Sequence, residues 1–208
     1  MDTVTFAPGA VPQSLAEEMH VARTSQFVDR LQWDLTVTEA GEEFDQFDDE
    51  NAHYIVVKSL GRHVQSCRIR PVCSGTMIEQ CFSGIFTMAE DFLSTNRKSL
   101  WEVTRFCKSP AVTLKESAAA LRIMSFELDE FMDRVGAAGF ISVVYPHFPR
   151  FLQRLGVRYL CLASGKINEE DVQLICVTRS VDFRDNETRG RRAFHDVIGE
   201  RFHQKAVA

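Results

Sequence analysis

Residues 101–106 read Trp-Glu-Val-Thr-Arg-Phe and place two opposite charges in a segment with the composition of a β-strand. In a regular strand Glu102 and Thr104 lie on one face and Val103 and Arg105 on the other, unless a bulge intervenes. A charge buried in a sheet needs a partner, because an isolated ion is costly to remove from water. The segment therefore predicts either an internal salt bridge or the wall of a ligand cleft.

A second group of candidate residues is strongly acidic. Six of the nine residues in segment 42–50 are Asp or Glu, and Phe44 and Phe47 stand among them. A run of like charge is usually a solvated loop, whereas aromatic rings within it indicate a loop that folds back onto the protein. Both interpretations stay open from these residues alone.

A third group lies near the N-terminus. Arg23 and Phe27 are four residues apart and share one face of a helix, and Trp33 follows in the same part of the chain. A guanidinium beside two aromatic rings is compatible with a surface cation–π cluster. These residues therefore raise the same question as the acidic segment, whether they form a surface or a site.

Most signatures of common catalytic sites are absent from the sequence. The chain has no P-loop, no strand-linked G-x-G-x-x-G and no G-x-S-x-G, and no two His have the spacing of metal ligands. Ser142 and His147 share a segment without an identifiable acid, so no catalytic triad is expected. The cysteines form no C-x-x-C pair, which predicts reduced, buried side chains and no metal site. They are Cys67, Cys73, Cys81, Cys107, Cys161 and Cys176.

The composition narrows the class of protein. The chain has 208 residues, 45% of them hydrophobic, and a net charge of −5. These values predict one globular domain and argue against a general nucleic-acid binder, which needs a basic surface. No apolar stretch is long enough to span a membrane, and the N-terminal residues lack the pattern of a secretory signal. We therefore expect a cytoplasmic protein without membrane insertion.

Two capping-box patterns indicate where helices begin. Ser14 with Glu17 predicts the start of an N-terminal helix, and Thr113 with Glu116 predicts a helix that ends at Gly136. Apolar runs at 53–60 and 63–70, joined by a Gly-Arg pair, predict a β-hairpin. Further strands are predicted at 100–107, 140–145, 157–163 and 172–179, with a short helix at 149–155.

This order of elements predicts an α/β fold, a single-domain three-layer sandwich with a mixed central β-sheet and helices on both faces. We assign the domain to residues 1–183. Residues 184–208 are expected to form a polar tail or helix.

In combination, four segments resemble the LuxI-type acyl-homoserine-lactone synthase family, whose fold is similar to that of GNAT acyltransferases. The four are, in the family's order, Arg23 with Phe27 and Trp33, then 43–48 (Glu-Phe-Asp-Gln-Phe-Asp), 68–71 (Arg-Ile-Arg-Pro) and 101–106. They span residues 23–106, and the elements up to about residue 179 fit the family more loosely.

The resemblance implies an enzyme that makes a quorum-sensing signal from S-adenosylmethionine and an acyl thioester, with no tightly bound cofactor. The substrate amine attacks the thioester, and its carboxylate then displaces the sulfonium group to close a lactone and release methylthioadenosine. The amine is largely protonated at neutral pH, so a carboxylate must accept its proton. Glu102 is the expected base, Asp45 is expected to hold a water or the ammonium group, and Arg105 completes the catalytic set.

The S-adenosylmethionine site that the resemblance implies combines aromatic rings with charges. A sulfonium cation favours aromatic faces and carboxylates. The residues expected to supply them are Phe27, Trp33, Asp45 and Asp48. Arg23, Arg68 and Arg105 are expected either to meet the substrate carboxylate or to hold the acidic segment by bidentate pairing. The backbone N–H of Phe106 is expected to face the tetrahedral oxyanion.

The resemblance implies that the S-adenosylmethionine site lies mainly in the part of the domain up to about residue 70 and the acyl-thioester site in the remainder. For the acyl chain it implies a pocket of apolar or small residues. They are Trp101, Thr104, Met124, Phe140, Ser142, Val144 and Phe148, with Phe82 and Phe86 in the same region of the sequence. Each of them is also typical of an ordinary core. The Ser142 hydroxyl is placed to bond a 3-oxo or 3-hydroxy group or only the backbone, so the acyl identity stays open.

The acyl donor carries a phosphopantetheine thioester, on coenzyme A or on an acyl carrier protein. Ordinary GNAT enzymes bind the coenzyme A pyrophosphate with a glycine-rich loop, and residues 108–112 contain no glycine, which disfavours coenzyme A as the donor without excluding it. Arg150 and Arg154 share one face of the predicted helix 149–155, with Arg158 just beyond. We expect them either to meet the acidic carrier protein or to form a solvated basic face.

Two other functions remain compatible with the sequence. A GNAT-like acyltransferase acting on a different amine explains the fold but not the cluster of Arg23, Trp33 and Asp45. A non-catalytic sensor of S-adenosylmethionine or acyl groups does not explain why Glu102 is present.

Overall fold

Seven strands form one mixed sheet in the computed structural model, which describes residues 1–154 and 156–178. The strands are β1 (Asp2–Phe6), β2 (His53–Ser59), β3 (Arg62–Pro71), β4 (Leu100–Lys108), β5 (Gly139–Val144), β6 (Tyr159–Ile167) and β7 (Glu170–Thr178). Their order is β1-β2-β3-β4-β5-β7-β6. β4 pairs with β5 in parallel, whereas β1 with β2, β2 with β3, β5 with β7 and β6 with β7 pair antiparallel. The predicted mixed α/β sheet is confirmed, and the predicted tail 184–208 lies outside the described residues.

The strands are connected by helices and short helical turns. The α-helices are α1 (Gln13–Arg23), α2 (Met77–Cys81), α3 (Glu90–Asn96), α4 (Leu114–Val135) and α5 (Phe148–Arg154). A π-helical turn over Thr24–Arg30 continues α1, and 3₁₀ turns occupy Val72–Ser74 and Thr87–Ala89. Within the described residues, no helix combines the length and the apolar composition needed to cross a membrane.

The chain divides into two compact units. The first contains Met1–Arg70 and Val103–Phe131, and the second contains Pro71–Glu102 and the described residues from Met132 to residue 178. Strand β4 contributes its first three residues to the second unit and the rest to the first. Each unit is described separately below.

In the first unit, local signals explain most of the elements. The two-residue turn between β2 and β3 has positive φ at both Leu60 and Gly61, as is typical of tight β-hairpin turns. Thr113 and Glu116 exchange the two hydrogen bonds of a capping box, so the predicted start of α4 is confirmed. The capping box predicted at Ser14 is wrong, because α1 begins at Gln13 after Pro12 and has no side-chain cap.

Two small apolar clusters contribute to the interior of the first unit, which also buries Ile55, Ile69 and Met124. The first consists of Leu15, Met19, Ala52, Tyr54 and Val56, and the second of Ala22, Phe27 and Cys107 with partly buried Leu31, Trp33 and Leu35. Strand β1 pairs antiparallel with β2 at the edge of the sheet. It was not predicted, although its β-branched residues are typical of a strand.

The second unit has one larger apolar core. It is built from residues of β4 to β7, of α3 and of the segment 72–89. A capping box between Thr76 and Glu79 begins α2, and this T-x-x-E pattern is a sequence signal for a helix that we did not predict. On β5, an added Cβ at Gly139 would lie 2.7 Å from the Val177 carbonyl oxygen, which explains glycine at this close approach of two strands.

The prediction that all cysteines are buried is wrong for three of them. Cys67, Cys107 and Cys176 are buried, whereas Cys73, Cys81 and Cys161 are exposed. The exposed thiols lie on a 3₁₀ turn, at the end of α2 and on the terminal strand of the sheet, where one side of the backbone faces solvent. The apolar neighbours of these cysteines in the sequence do not predict their exposure, because burial depends on the face of the helix or strand on which a residue lies.

Candidate active site

The acidic loop, residues 42–50, is folded by its own side chains. Asp45 N donates to Asp48 Oδ2 (2.8 Å), Phe47 N donates to Asp45 Oδ1 (2.8 Å) and Asp48 N donates to Asp45 O (3.0 Å). Phe47 is only 2% exposed, whereas Phe44 remains about half exposed. Of the two interpretations left open by the sequence, folding back onto the protein is therefore the one observed around Phe47.

Arg23 anchors this loop to the end of α1. Its Nη1 and Nη2 donate to the two oxygens of Asp48 at 2.8 and 2.9 Å, and its Nε donates to Glu43 Oε2 at 2.6 Å. The arginine and Glu43 are each 1% exposed. A bidentate pair with a further hydrogen bond uses the planar guanidinium fully, which a lysine could not do.

Arg68 and Arg105 hold the same loop from neighbouring strands β3 and β4. Arg68 Nη1 and Nη2 donate to Asp45 at 2.6 and 3.1 Å, and Nη1 also lies 2.8 Å from Asp48 Oδ1. Arg105 Nη2 donates to Asp45 Oδ2 at 2.7 Å and to Glu43 Oε1 at 3.0 Å. The three arginines thus hold the acidic segment, the second of the two roles expected for them.

These residues form an ion network, which consists of Arg23, Arg68, Arg105, Glu43, Asp45 and Asp48. The three cations and three carboxylates balance, so little net charge is buried. Burial alone would raise the pKa of Asp48, but hydrogen bonds and the charge of Arg23 outweigh it and hold that pKa far below its usual range. For Asp45 the same competition, won by Arg68, also lowers the pKa.

The network sets limits on what each carboxylate can do. Asp48 accepts from Arg23 twice, from Arg68, from Asp45 N and from the Tyr54 hydroxyl at 2.5 Å, which fills its acceptor positions. Asp45 is the most exposed of the three carboxylates, with 14% of its side chain accessible. A lowered pKa makes Asp45 a weak proton acceptor but preserves its negative charge for a cationic ligand.

An aromatic pair lies beside this network. Phe27 and Trp33 are stacked with centroids 5.0 Å apart and planes 20° apart, and the Arg105 guanidinium lies 5.4 Å from the Phe27 centroid. Phe27 belongs to the π-helical turn, a type of irregularity that is frequent at functional sites. The first unit therefore brings Arg23, Phe27 and Trp33 together with the acidic loop.

Strand β4 is irregular where its charges occur. Leu100 and Glu102 are buried, and then Arg105 and Cys107 are buried, so the alternation changes phase between Glu102 and Arg105. Arg105 has φ +52°, a left-handed conformation that costs a non-glycine residue free energy and concentrates at functional sites. The alternation of buried and partly exposed residues along β4 is thus interrupted, the exception for which the sequence analysis allowed.

Glu102 lies in the second unit. Its carboxylate accepts from the backbone N–H groups of Met77 (3.0 Å) and Ile78 (3.3 Å), and the residue is 2% exposed. The first turn of α2 therefore fixes the orientation of this carboxylate. Its role as the base stays a prediction.

The residues expected around the acyl chain are distributed over both units. Thr104 and Met124 belong to the first unit, where Thr104 Oγ1 accepts from Arg68 Nε at 3.1 Å and Met124 is fully buried. Those of the second unit are Trp101, Phe140, Ser142, Val144 and Phe148, with Phe82 and Phe86. Trp101 pairs with Phe140 across β4 and β5. Their role, like that of the Phe106 N–H, stays a prediction.

Arg150 and Arg154 are both exposed on α5, one helical turn apart, as the sequence predicted. Arg158 is also exposed and lies just before β6. The side chains of Arg150 and Arg154 are therefore accessible to a partner, whereas their function is not tested by the geometry.

Three residues of the first unit were missed as members of the site. Glu43 stands in a quoted motif but was given no role, and it bridges Arg23 and Arg105. Tyr54 donates to Asp48, and Arg70 contacts Phe47 and Asp49. Glu43 and Arg70 both stand in motifs given above, at 43–48 and 68–71, and that was their signal. The partner of Tyr54 lies in another element and leaves no local signal.

Residues 1–154 and 156–178 contain no cluster of three or more His, Cys, Asp or Glu side chains that could hold a metal ion.

Solved structures of known proteins define the fold class of this chain. TofI in a ternary complex with an inhibitor and MTA matches with a TM-score of 0.67 and 23% identity, covering 86% of this chain and 91% of that one. BjaI, a CoA-dependent acyl-homoserine lactone synthase with SAM and isopentyl-CoA, matches with a TM-score of 0.68 and 18% identity over 95% and 88%. An acyl-CoA N-acyltransferase from Pseudomonas aeruginosa matches with a TM-score of 0.57 and 11% identity over 85% and 99%. The fold is therefore the GNAT-like acyltransferase fold.

Sequence comparison gives the family within that class. The autoinducer synthase family model matches residues 10–188. The acyl-homoserine-lactone synthase of Agrobacterium fabrum is 30% identical over 149 residues, 69% of either chain, and that of Vibrio anguillarum is 27% identical over 179 residues, 83% of this chain and 86% of that one. The chain belongs to the autoinducer synthase family and is an acyltransferase, an acyl-homoserine-lactone synthase.

Proposed function

We propose that this enzyme joins the acyl group of a thioester to the amine of S-adenosylmethionine and then closes the homoserine lactone, releasing methylthioadenosine. The observation that carries the proposal is the ion network with the stacked Phe27 and Trp33 beside it. Anionic oxygens and aromatic faces are the groups that favour a sulfonium cation. The complexes of TofI with MTA and of BjaI with SAM support the same substrate.

In the first step the methionyl nitrogen attacks the thioester carbonyl, the C–S bond breaks and the thiol leaves. The ammonium form of the substrate must lose a proton before it can attack. Glu102 accepts this proton, directly or through a water, and the N–H groups of Met77 and Ile78 keep its carboxylate oriented. The positive φ of Arg105 turns the following peptide, and the Phe106 N–H then meets the oxyanion.

In the second step a carboxylate oxygen of the substrate attacks its γ-carbon, and the C–S bond to the sulfonium breaks. Methylthioadenosine leaves as a neutral thioether, so the positive charge disappears from the site. Asp45 provides a nearby negative charge to the cation before this step, because its lowered pKa keeps it ionised. Asp48 acts indirectly, since its acceptors are filled by Arg23, Arg68, Tyr54 and the loop. Neither step needs a tightly bound cofactor.

We place the acyl chain against the second-unit residues Phe140, Ser142, Val144 and Phe148. The donor is a phosphopantetheine thioester on an acyl carrier protein, and exposed Arg150 and Arg154 receive the acidic surface of this carrier. A coenzyme A thioester is the alternative donor, by analogy with the CoA-dependent synthase BjaI. We expect the enzyme to act in the cytoplasm.

The test is to incubate the purified protein with S-adenosylmethionine and a panel of acyl thioesters on both carriers, followed by mass spectrometry. We expect an acyl-homoserine lactone together with methylthioadenosine. An acylated amine without methylthioadenosine would favour an N-acyltransferase for another amine. Binding of S-adenosylmethionine without turnover would favour a sensor.

A further inference from the structure

We propose that Arg70 is a positioning residue that holds the acidic loop in the shape required to bind S-adenosylmethionine. This inference rests on the proposed function. Arg70 is not a member of the ion network. It acts on the acidic loop through its contacts with Phe47 and Asp49.

Arg70 makes three contacts with the loop. Its Nη1 donates to the Phe47 carbonyl oxygen at 2.7 Å and forms an ion pair with Asp49, and its guanidinium carbon lies 5.4 Å from the Phe47 ring centroid. The Arg68 guanidinium carbon lies 5.6 Å from the same centroid. Arg68 and Arg70 are two residues apart on β3, which brings both side chains to the same face.

The position of Phe47 explains why these contacts matter. Phe47 lies between Asp45 and Asp48, the two carboxylates that pair with Arg68 and Arg23. A contact that fixes both the ring and the carbonyl of Phe47 therefore fixes the peptide that sets the spacing of these carboxylates.

Arg70 also joins two consecutive turns of the loop. The first turn is closed by the hydrogen bond from Asp48 N to Asp45 O, and the second by that from Ala52 N to Asp49 O. Phe47 belongs to the first turn and Asp49 to the second, and one guanidinium nitrogen contacts both. Because the pair is only partly shielded at Asp49, the contact with the buried Phe47 carbonyl is the more important of the two.

A role in packing alone would not require an arginine. Arg70 is 2% exposed, and its Nε is buried without a hydrogen-bond partner, which is unfavourable. An apolar side chain would cover the Phe47 ring without this cost but would leave the Phe47 carbonyl without its donor. The arrangement thus favours a defined loop conformation over maximal stability.

The experiment compares Arg70→Leu and Arg70→Lys with the wild type in steady-state kinetics for each substrate. We expect Arg70→Leu to raise KM for S-adenosylmethionine about tenfold, because small misplacements of binding groups are costly, and to leave KM for the acyl thioester unchanged. Arg70→Lys retains a donor and a charge but not the planar stack, so its KM is expected between the two. Arg62→Leu, on the same strand with an exposed side chain, is the matched control and is expected to behave as wild type.

Two outcomes would overturn the role of Arg70. The first is an unchanged KM for S-adenosylmethionine in folded Arg70→Leu, with or without a lower melting temperature, and the second is an equal rise of both KM values. If Arg70→Leu does not fold, Arg70→Lys decides by the same criteria. A wild-type enzyme that releases no methylthioadenosine would instead count against the proposed function.

Discussion

The guanidinium of Arg23 and the carboxylate of Asp48 form a parallel pair of hydrogen bonds, 2.8 and 2.9 Å long, between the end of α1 and the acidic loop. Arg68 Nη1 lies 2.8 Å from the same carboxylate, and Tyr54 donates to it. Asp48 is thus the point at which β2, β3 and α1 are tied to the loop, and the loop's conformation depends on its charge.

Replacement of Asp48 by Asn should destabilise the protein strongly. The change leaves Arg23 and Arg68 buried with less negative charge, and breaking a buried ion pair by removing one partner costs about 3–5 kcal/mol. Urea unfolding at neutral pH measures the difference. Asp171→Asn is the control, since its pair with Lys166 is exposed and about 0–1 kcal/mol is expected. Equal effects of the two substitutions would contradict the importance assigned to the network.

Stability should fall as the pH decreases from 6.5 towards 4, in part because of His63. Burial lowers the pKa of His63 to about 4, and its Nε2 lies 2.9 Å from Ser66 Oγ. The unfolded chain binds a proton near pH 6.5 and the folded chain only near pH 4. The stabilisation is therefore complete above pH 6.5 and is lost on acidification, by about 3 kcal/mol at most.

Urea unfolding at pH 7, 6 and 5 tests this pH dependence in the wild type and in His63→Gln. The variant should lose less stability over this range than the wild type. Parallel curves would assign the loss to other groups, of which His20, whose pKa is also lowered by burial, is the first candidate.

Glu102→Gln should lower kcat by at least about tenfold, because general-base catalysis contributes ~10²–10⁴. The amide can still accept a hydrogen bond from the first turn of α2 but is not a base. Thr76→Val is the matched control, since it weakens the cap of α2 and leaves the carboxylate in place. A near wild-type kcat in Glu102→Gln, or an equal loss in Thr76→Val, would reject Glu102 as the base.

Reversal of charge at Arg150 and Arg154, to Glu, should raise KM for the carrier-bound donor and make it strongly dependent on salt. Both side chains are exposed, so the change should not affect folding. Arg122→Glu on the exposed face of α4 is the control. An unchanged KM for the carrier-bound donor would contradict the docking role. A rise in KM confined to acyl-coenzyme A would assign the two arginines to that donor instead.

Much of the fold could be predicted because its signals are local. The Thr113 capping box, the turn at Gly61 and the apolar runs of β2 and β3 each depend on neighbouring residues alone. The capping box predicted at Ser14 does not form, because the helix already begins at Gln13, directly after Pro12, so Ser14 lies inside its first turn. The signal at Thr76 was present in the sequence and was overlooked.

The geometry of the site could be predicted only in part. The resemblance of four sequence motifs to the family selected Arg23, Asp45, Asp48, Arg68 and Arg105 as candidates, whereas residue types alone left each segment ambiguous. Which arginine pairs with which carboxylate depends on contacts between residues 20 to 62 positions apart. The positive φ of Arg105 and the contacts of Arg70 likewise arise from neighbouring strands and leave no trace in the local sequence.

The central claim is that this one enzyme carries out both acyl transfer to S-adenosylmethionine and lactone closure, and the most direct test is the stoichiometry of the products. A single reaction with S-adenosylmethionine and the preferred acyl thioester should be sampled for free thiol, methylthioadenosine and acyl-homoserine lactone. We expect the three to form in equal amounts at every time point. Thiol release with a persistent excess over methylthioadenosine would contradict the claim, because it would show an acyltransferase that does not form the lactone.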